Sequence, residues 1–369
     1  MKPSVLVLLP FLGLALLAGM FSGWARLGWA FAQAPTPGGG AAQHGAIMVG
    51  GFLGSLVLLE KVALLRQPGW LALPLVNALS VPLFWLGQPG WGLSCLLAGA
   101  TAMLGVAFYF WRKHPGPSTL LWLAGSLMLG LGHAKLAWHG FYPAAVPYWM
   151  GFFLLVVVGE RLELSRFLPV SRPQYWLLGV FLAVWSLGIL AWPFHSAGFA
   201  WLSLLLTGVA AWLWQHDMPR RALARPGLTR FVAINLLVGY GWLGLAGLWP
   251  WFPLAPAFAY DAYLHLYFIG FVLSMVLAHG PIVLPGVLGV NIKPFHPGLY
   301  GWSGLVQLGL LARLLGDVTG WTLARQWGSL ANGLGLLGYL AMVAILIAHG
   351  RKKSPQVLPQ KPSTYEYSS

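Results

Sequence analysis

The sequence predicts an all-α membrane protein of about twelve transmembrane helices, and three observations carry that expectation. Hydrophobic residues make up 58% of the 369 residues and charged residues only 8%, whereas a water-soluble domain carries about a quarter charged residues. Apolar runs of about 20 residues recur from end to end, the length needed to cross a hydrocarbon core of about 30 Å. The short alternating segments of a membrane β-barrel do not occur in it, so each run is expected to satisfy its backbone internally, as a helix.

The first run, 4–24, follows Lys2, and Ala32-Gln33-Ala34 looks cleavable. It is longer than the roughly 7–15 apolar residues of a secretion signal, so it reads as an uncleaved span. The remaining runs fall at 44–62, 69–87, 91–111, 119–139, 145–162, 174–194, 197–215, 231–249, 260–284, 298–315 and 328–349. Residues 1–350 therefore read as a single polytopic domain, and the polar segment 351–369 as a disordered cytoplasmic tail. Cys95 is the only cysteine, which rules out an intrachain disulfide and a multi-thiolate metal site within this chain.

The net charge of +14 could suggest nucleic acid, but its distribution follows the membrane instead. With the N-terminus inside, only Arg26, Lys135, Arg313 and Arg325 of the 21 Lys and Arg residues fall on the outer side. That asymmetry predicts a multi-pass protein of the cell (inner) membrane with both termini cytoplasmic. The lipid bilayer is the expected partner, and nucleic acid is not. Trp24, Trp91, Trp111, Trp138 and Trp149 sit near predicted span ends, where an aromatic belt would place them. Gly50 and Gly54, and the glycines of 239–244, offer flat faces for close helix packing.

Self-similarity organises the chain further. Residues 51–66, GFLGSLVLLEKVALLR, align without a gap to residues 151–166, GFFLLVVVGERLELSR. The matches include Glu60 with Glu160, Lys61 with Arg161, and Arg66 with Arg166. A weaker third copy begins at Gly270-Phe271-Val272-Leu273-Ser274 and puts His279 in the place of Glu60 and Glu160. These copies are spans 2, 6 and 10, so the pattern suggests three four-helix arcs about a pseudo-threefold axis. Chance agreement between Leu- and Gly-rich stretches is the competing account of the third copy.

Ionisable groups at membrane depth are costly, so each is a functional candidate. Seven Asp and Glu residues are present, none in the middle of a predicted span. Glu60 with Lys61, and Glu160 with Arg161, read as interfacial ion pairs that fix helix ends. Histidine is more informative. His44 opens span 2 and His265 lies near the start of span 10, so both imidazoles enter from the outer side at similar depth. Such a pair suits axial ligation of a haem iron, each ring needing its second nitrogen held by a carbonyl or hydroxyl. Amphipathic capping at the interface is the plainer role for the same residues. His133, near Lys135 and His139, is a candidate third ligand or polar gate, or else part of a headgroup-facing cluster. His279, fourteen residues beyond His265, lies about 21 Å further along the helix and is a separate metal candidate. Gly280-Pro281 beside it should break or kink the helix and free a carbonyl.

The segments QHGAIMVGGFLGSLVLLEK, GFFLLVVVGERLELSR and HLYFIGFVLSMVLAHGPIVLP resemble the NnrS family of haem- and copper-containing membrane proteins linked to nitric oxide metabolism. More distantly, the chain resembles subunit I of the haem–copper oxidases and nitric oxide reductases, in which spans 2 and 10 hold a low-spin haem. The resemblance implies haem b on His44 and His265, with copper as an alternative metal. Spans 6 and 7 contain no His, and His265 has no second His two residues away. A dinuclear catalytic centre, and with it a self-sufficient enzyme, is therefore not expected. The implied function is a haem-binding protein of respiration or denitrification: an electron carrier, a sensor, or an assembly partner of a nitric oxide reductase complex. A small-solute transporter or channel, and a cofactor-free assembly subunit, are the alternatives that the span count also accommodates.

Overall fold

The computed structural model describes residues 7–33, 39–65, 67–252 and 258–353. All regular structure in the described residues is helical, as the apolar runs require. In chain order the long helices are α1 Leu9–Arg26, α2 Gly40–Ala63, α3 Gly69–Trp85, α4 Pro89–Lys113, α5 Pro117–His139 and α6 Tyr142–Ser165. They continue as α7 Arg172–Ala191, α8 Ala197–His216, α9 Leu228–Trp251, α10 Ala259–Leu288, α11 Gly298–Thr319 and α12 Thr322–Lys353. Ten of them are long and apolar enough to cross a membrane. Of the other two, α3 is a shorter apolar helix, and α11 carries Arg313 and Asp317. The protein is thus a multi-pass helical membrane protein. Helix α12 runs through Lys353, so the first residues of the predicted tail are helical; residues 354–369 lie outside the described residues, as does Arg66 of the first repeat copy.

Local sequence sets the helix ends. Ser171 caps α7 reciprocally with Gln174, and the Ser196 hydroxyl accepts the Phe199 N–H at the start of α8. Gly140, Gly289 and Gly320 end α5, α10 and α11 in the left-handed conformation, with φ of 63°, 68° and 74°. Such tight ends make hairpins, and successive helices pack side by side around the molecule until α12 meets α1.

Within the most apolar stretch of each helix, 83% of residues are buried in α6, 67% in α2 and 61% in α10, against 33% in α4 and 28% in α7. The centre therefore consists of the three helices that carry the sequence repeat. Lys61 of α2 meets Glu160 of α6, the Tyr267 hydroxyl of α10 donates to Met150 O of α6 at 2.6 Å, and α10 also packs on α2. Outward faces of the peripheral helices bear Leu187, Trp138 and Leu308, as lipid contact requires. Two residues assigned to an aromatic belt belong instead to the interior. Trp24 donates its indole N–H to Ser329 O at 3.2 Å, and Trp149 is 1% exposed, edge-on to His133.

Helices α2 and α10 share a further irregularity. Each opens into an eight-residue π-helical stretch, Ile47–Gly54 in α2 and Leu266–Leu273 in α10. The offset between them is 266 − 47 = 219, and 273 − 54 gives the same value. This is also the offset that aligns Gly51–Ser55 with Gly270–Ser274. Chance is a poor account of a third copy that shares a rare backbone form in register, since π-helical turns are uncommon and concentrate at functional sites.

Candidate functional site

His44 lies in the first turns of α2, just before the π-helical stretch, and its ring rests on α1. His44 Nδ1 donates to Gly19 O at 2.8 Å. A Cβ on Gly23 would stand 2.9 Å from the ring's Cε1, so the absence of a side chain there makes the seat. A carbonyl can only accept, so Nδ1 carries a proton, and in the neutral form of the ring the lone pair is at Nε2. His265 reaches the same state within its own helix, Nδ1 donating to Asp261 O at 2.6 Å. Neither Nε2 has a hydrogen-bond partner among the described residues, and neither is sealed off as both nitrogens of His133 are. The two rings are close enough to interact electrostatically.

A charged cluster borders this pair. Asp261 accepts from Arg313 at 2.7 Å and from Arg325 at 3.4 Å, and Arg325 also pairs with Asp317 at 2.5 Å. The Arg325 guanidinium lies 3.4 Å from the centre of the Phe258 ring. Arg26 acts on His44 from α1. Within the cluster itself Arg313 and Arg325 balance Asp261 and Asp317. Arg26, Arg313 and Arg325 are three of the four basic residues that the charge count put on the outer side. Sequence reasoning missed the meeting of Arg313 and Arg325 at Asp261 because they come from α11 and α12 and Asp261 from α10, and no local pattern joins them.

The other candidates lie elsewhere. His133 is fully buried against Gly50 and Trp149, with no partner on either nitrogen; Lys135 is half-buried and His139 exposed. His279 belongs to a second cluster at the opposite end of α10. Its Nδ1 donates to Met275 O at 2.7 Å, and its Nε2 accepts from Arg161 Nη1 at 3.0 Å. There Lys61 bridges Glu160 at 2.5 Å and Glu60 at 3.0 Å. Arg161 Nε stands 3.1 Å from Asp217 Oδ2, and Asp217 also accepts from Ser165, from Tyr240 at 2.6 Å and from the Met218 N–H at 2.8 Å. The Glu60–Lys61 pair expected within α2 forms, and Lys61 also links α2 to α6, whereas Arg161 turns to Asp217 and His279 rather than to its neighbour Glu160. Glu60, Glu160 and His279, the three equivalent repeat positions, meet in one place. Helix α10 continues through Pro281, and the carbonyl that this proline leaves without an N–H, Leu277 O, takes the Tyr339 hydroxyl at 2.6 Å.

No group of three or more His, Cys, Asp or Glu side chains with metal-binding geometry occurs among the described residues, so any metal held by His44 and His265 must bring the rest of its coordination with it. A cavity of about 270 Å³ is lined by Phe194, His195, Trp249, Tyr260 and Tyr263, and neither His44 nor His265 lines it. No curated protein and no solved structure matches the chain. Residues 5–348 match the family described as a domain of unknown function, DUF8744, and the chain belongs to that family.

Proposed function

We propose that the protein is a haem b-binding membrane protein of respiratory or nitric oxide metabolism, with His44 and His265 as the residues that would hold the haem iron. One observation carries the reading: both rings are held through Nδ1 on backbone carbonyls, and both leave Nε2 without a hydrogen-bond partner among the described residues. Bis-imidazole ligation asks for that tautomer and that orientation, fixed from the second nitrogen. The porphyrin would bring the equatorial nitrogens that the chain lacks. The guanidinium groups of Arg313 and Arg325, with Arg26 at the end of α1, would complement the carboxylates of a haem. When bound, the haem supplies a one-electron centre. The chain's part is to hold the two imidazoles, balance charge through Arg26, Arg313 and Arg325, and exclude water by helix packing.

In this reading all twelve long helices span the membrane in three four-helix arcs, with α2, α6 and α10 around a pseudo-threefold axis. Both termini are cytoplasmic, so the His pair lies toward the outer face and the Lys61–Glu160 cluster toward the inner. The resemblance to NnrS-like proteins and to subunit I supports the same arrangement. An electron carrier, a sensor, or an assembly partner of a reductase is the role that fits a site with no dinuclear centre. The experiment is haem and iron analysis of the detergent-purified chain, expressed with ample haem. About one haem and one iron per chain is the expected result. Colourless, iron-free protein that is folded and monodisperse overturns the proposal.

A further inference from the structure

The cluster at the other end of α2, α6 and α10 has charges that do not balance. Its fixed cations are Lys61 and Arg161, and its carboxyls are Glu60, Glu160 and Asp217. His279 does not make up the difference. Its Nδ1 proton is given to Met275 O, and its Nε2 faces Arg161, which can only donate, so Nε2 is an acceptor and the ring is neutral. Three carboxyls against two cations, 3 − 2, leave one uncompensated negative charge where α2, α6, α10 and the Asp217 turn meet, at a site with Glu60 and Glu160 partly exposed and Arg161 and Asp217 buried. An unpaired charge in such surroundings is removed by taking up a proton.

The hydrogen bonds say which carboxyl takes it. Asp217 is ringed by donors: Ser165, Tyr240, the Met218 N–H and Arg161. Glu160 has the closest approach of Lys61, at 2.5 Å, and adjoins Arg161 and His279. Glu60 has only a share of Lys61 at 3.0 Å, and the other charge facing it is the like charge of Glu160. Its side chain is 32% exposed, so a proton can reach it from the membrane face that carries the basic loops. Glu163 and Arg166 pair with each other on the surface and leave the count unchanged.

We propose that Glu60 is a proton-binding site, holding one exchangeable proton per chain on a cluster built from the three repeat-equivalent positions. The inference does not depend on haem. It is tested on the full-length purified protein, with or without cofactor, by infrared spectroscopy of the carboxyl stretch between about pH 5 and 9, well above the ordinary glutamate pKa of about 4.3. The expected result is a protonated-carboxyl band at neutral pH that shifts in heavy water, disappears in Glu60→Gln and survives in Glu163→Gln. A wild-type protein without the band, or a Glu60→Gln variant that keeps it, overturns the proposal. If Glu60→Gln does not fold, Glu60→Asp decides: its pH midpoint moves if Glu60 holds the proton, and an unchanged midpoint overturns the assignment.

Discussion

Helix α10 carries two histidines fourteen residues apart, and their difference separates the two ends of the molecule. His265 and His279 are locked alike, each donating Nδ1–H to the carbonyl four residues earlier, Asp261 O and Met275 O. His216 and His349 make the same local bond to Trp212 O and Ile345 O. The bond is therefore an ordinary consequence of placing His on a helix and says nothing about function. What differs is the far nitrogen. Arg161 caps Nε2 of His279, whereas Nε2 of His265 is left open, and so is Nε2 of His44, whose Nδ1 is held by another helix. One end of the α2–α6–α10 core is an ionic cluster whose contacts tie helices together; the other leaves two Nε2 atoms without a partner among the described residues.

The largest expected effect of breaking this comparison is at the closed end. Arg161→Met leaves buried Asp217 without its ion-pair partner and should destabilise the protein by about 3–5 kcal/mol, seen as a lowered unfolding temperature in detergent. Full stability in that variant would mean that the cluster does not tie the helices together. At the open end, Gly23→Leu overfills the seat of the His44 ring. It should cost about 1–3 kcal/mol and also displace the imidazole, so haem content falls much further than stability; equal losses in both would show that the seat is only a packing contact. Removal of the Ser274 hydroxyl, which accepts from Gln307 at 3.0 Å, should cost about 1 kcal/mol without changing haem content. Arg166→Met, which breaks an exposed pair with Glu163, should shift unfolding by less than about 1 kcal/mol. A larger shift would place that pair within the cluster.

Some of this was legible from sequence because it is written locally. Apolar length marked each long helix, and Glu60 and Glu160, recurring in register with Lys61 and Arg161, marked helices that do meet at the centre. The freed carbonyl before Pro281 followed from the ring alone, although its partner, Tyr339, lies on another helix. The rest depends on which helix faces which. Sequence adjacency suggested that Arg161 would pair with Glu160, but α6 points Arg161 toward Asp217 and His279, because residues adjacent in a helix lie about 100° apart around it. Gly19, 25 residues before His44, carries the carbonyl that fixes that ring, and a backbone acceptor leaves no mark in residue type. Trp149 and Trp24 looked like interfacial residues by position yet fill the interior, since a span end can face the bundle as readily as the lipid. The π-helical stretches could not be anticipated either, because their sequences suit an α-helix equally well.

The proposed haem site is defined by an open Nε2 rather than by histidine at membrane depth. The most direct measurement is the reduced-minus-oxidised visible spectrum of the purified wild type beside His44→Ala, His265→Ala and His279→Ala. Loss of the bis-histidine b-type bands in the first two variants, with the third indistinguishable from wild type, is the result expected. Bands that survive in both His44→Ala and His265→Ala, or that vanish only in His279→Ala, would contradict it.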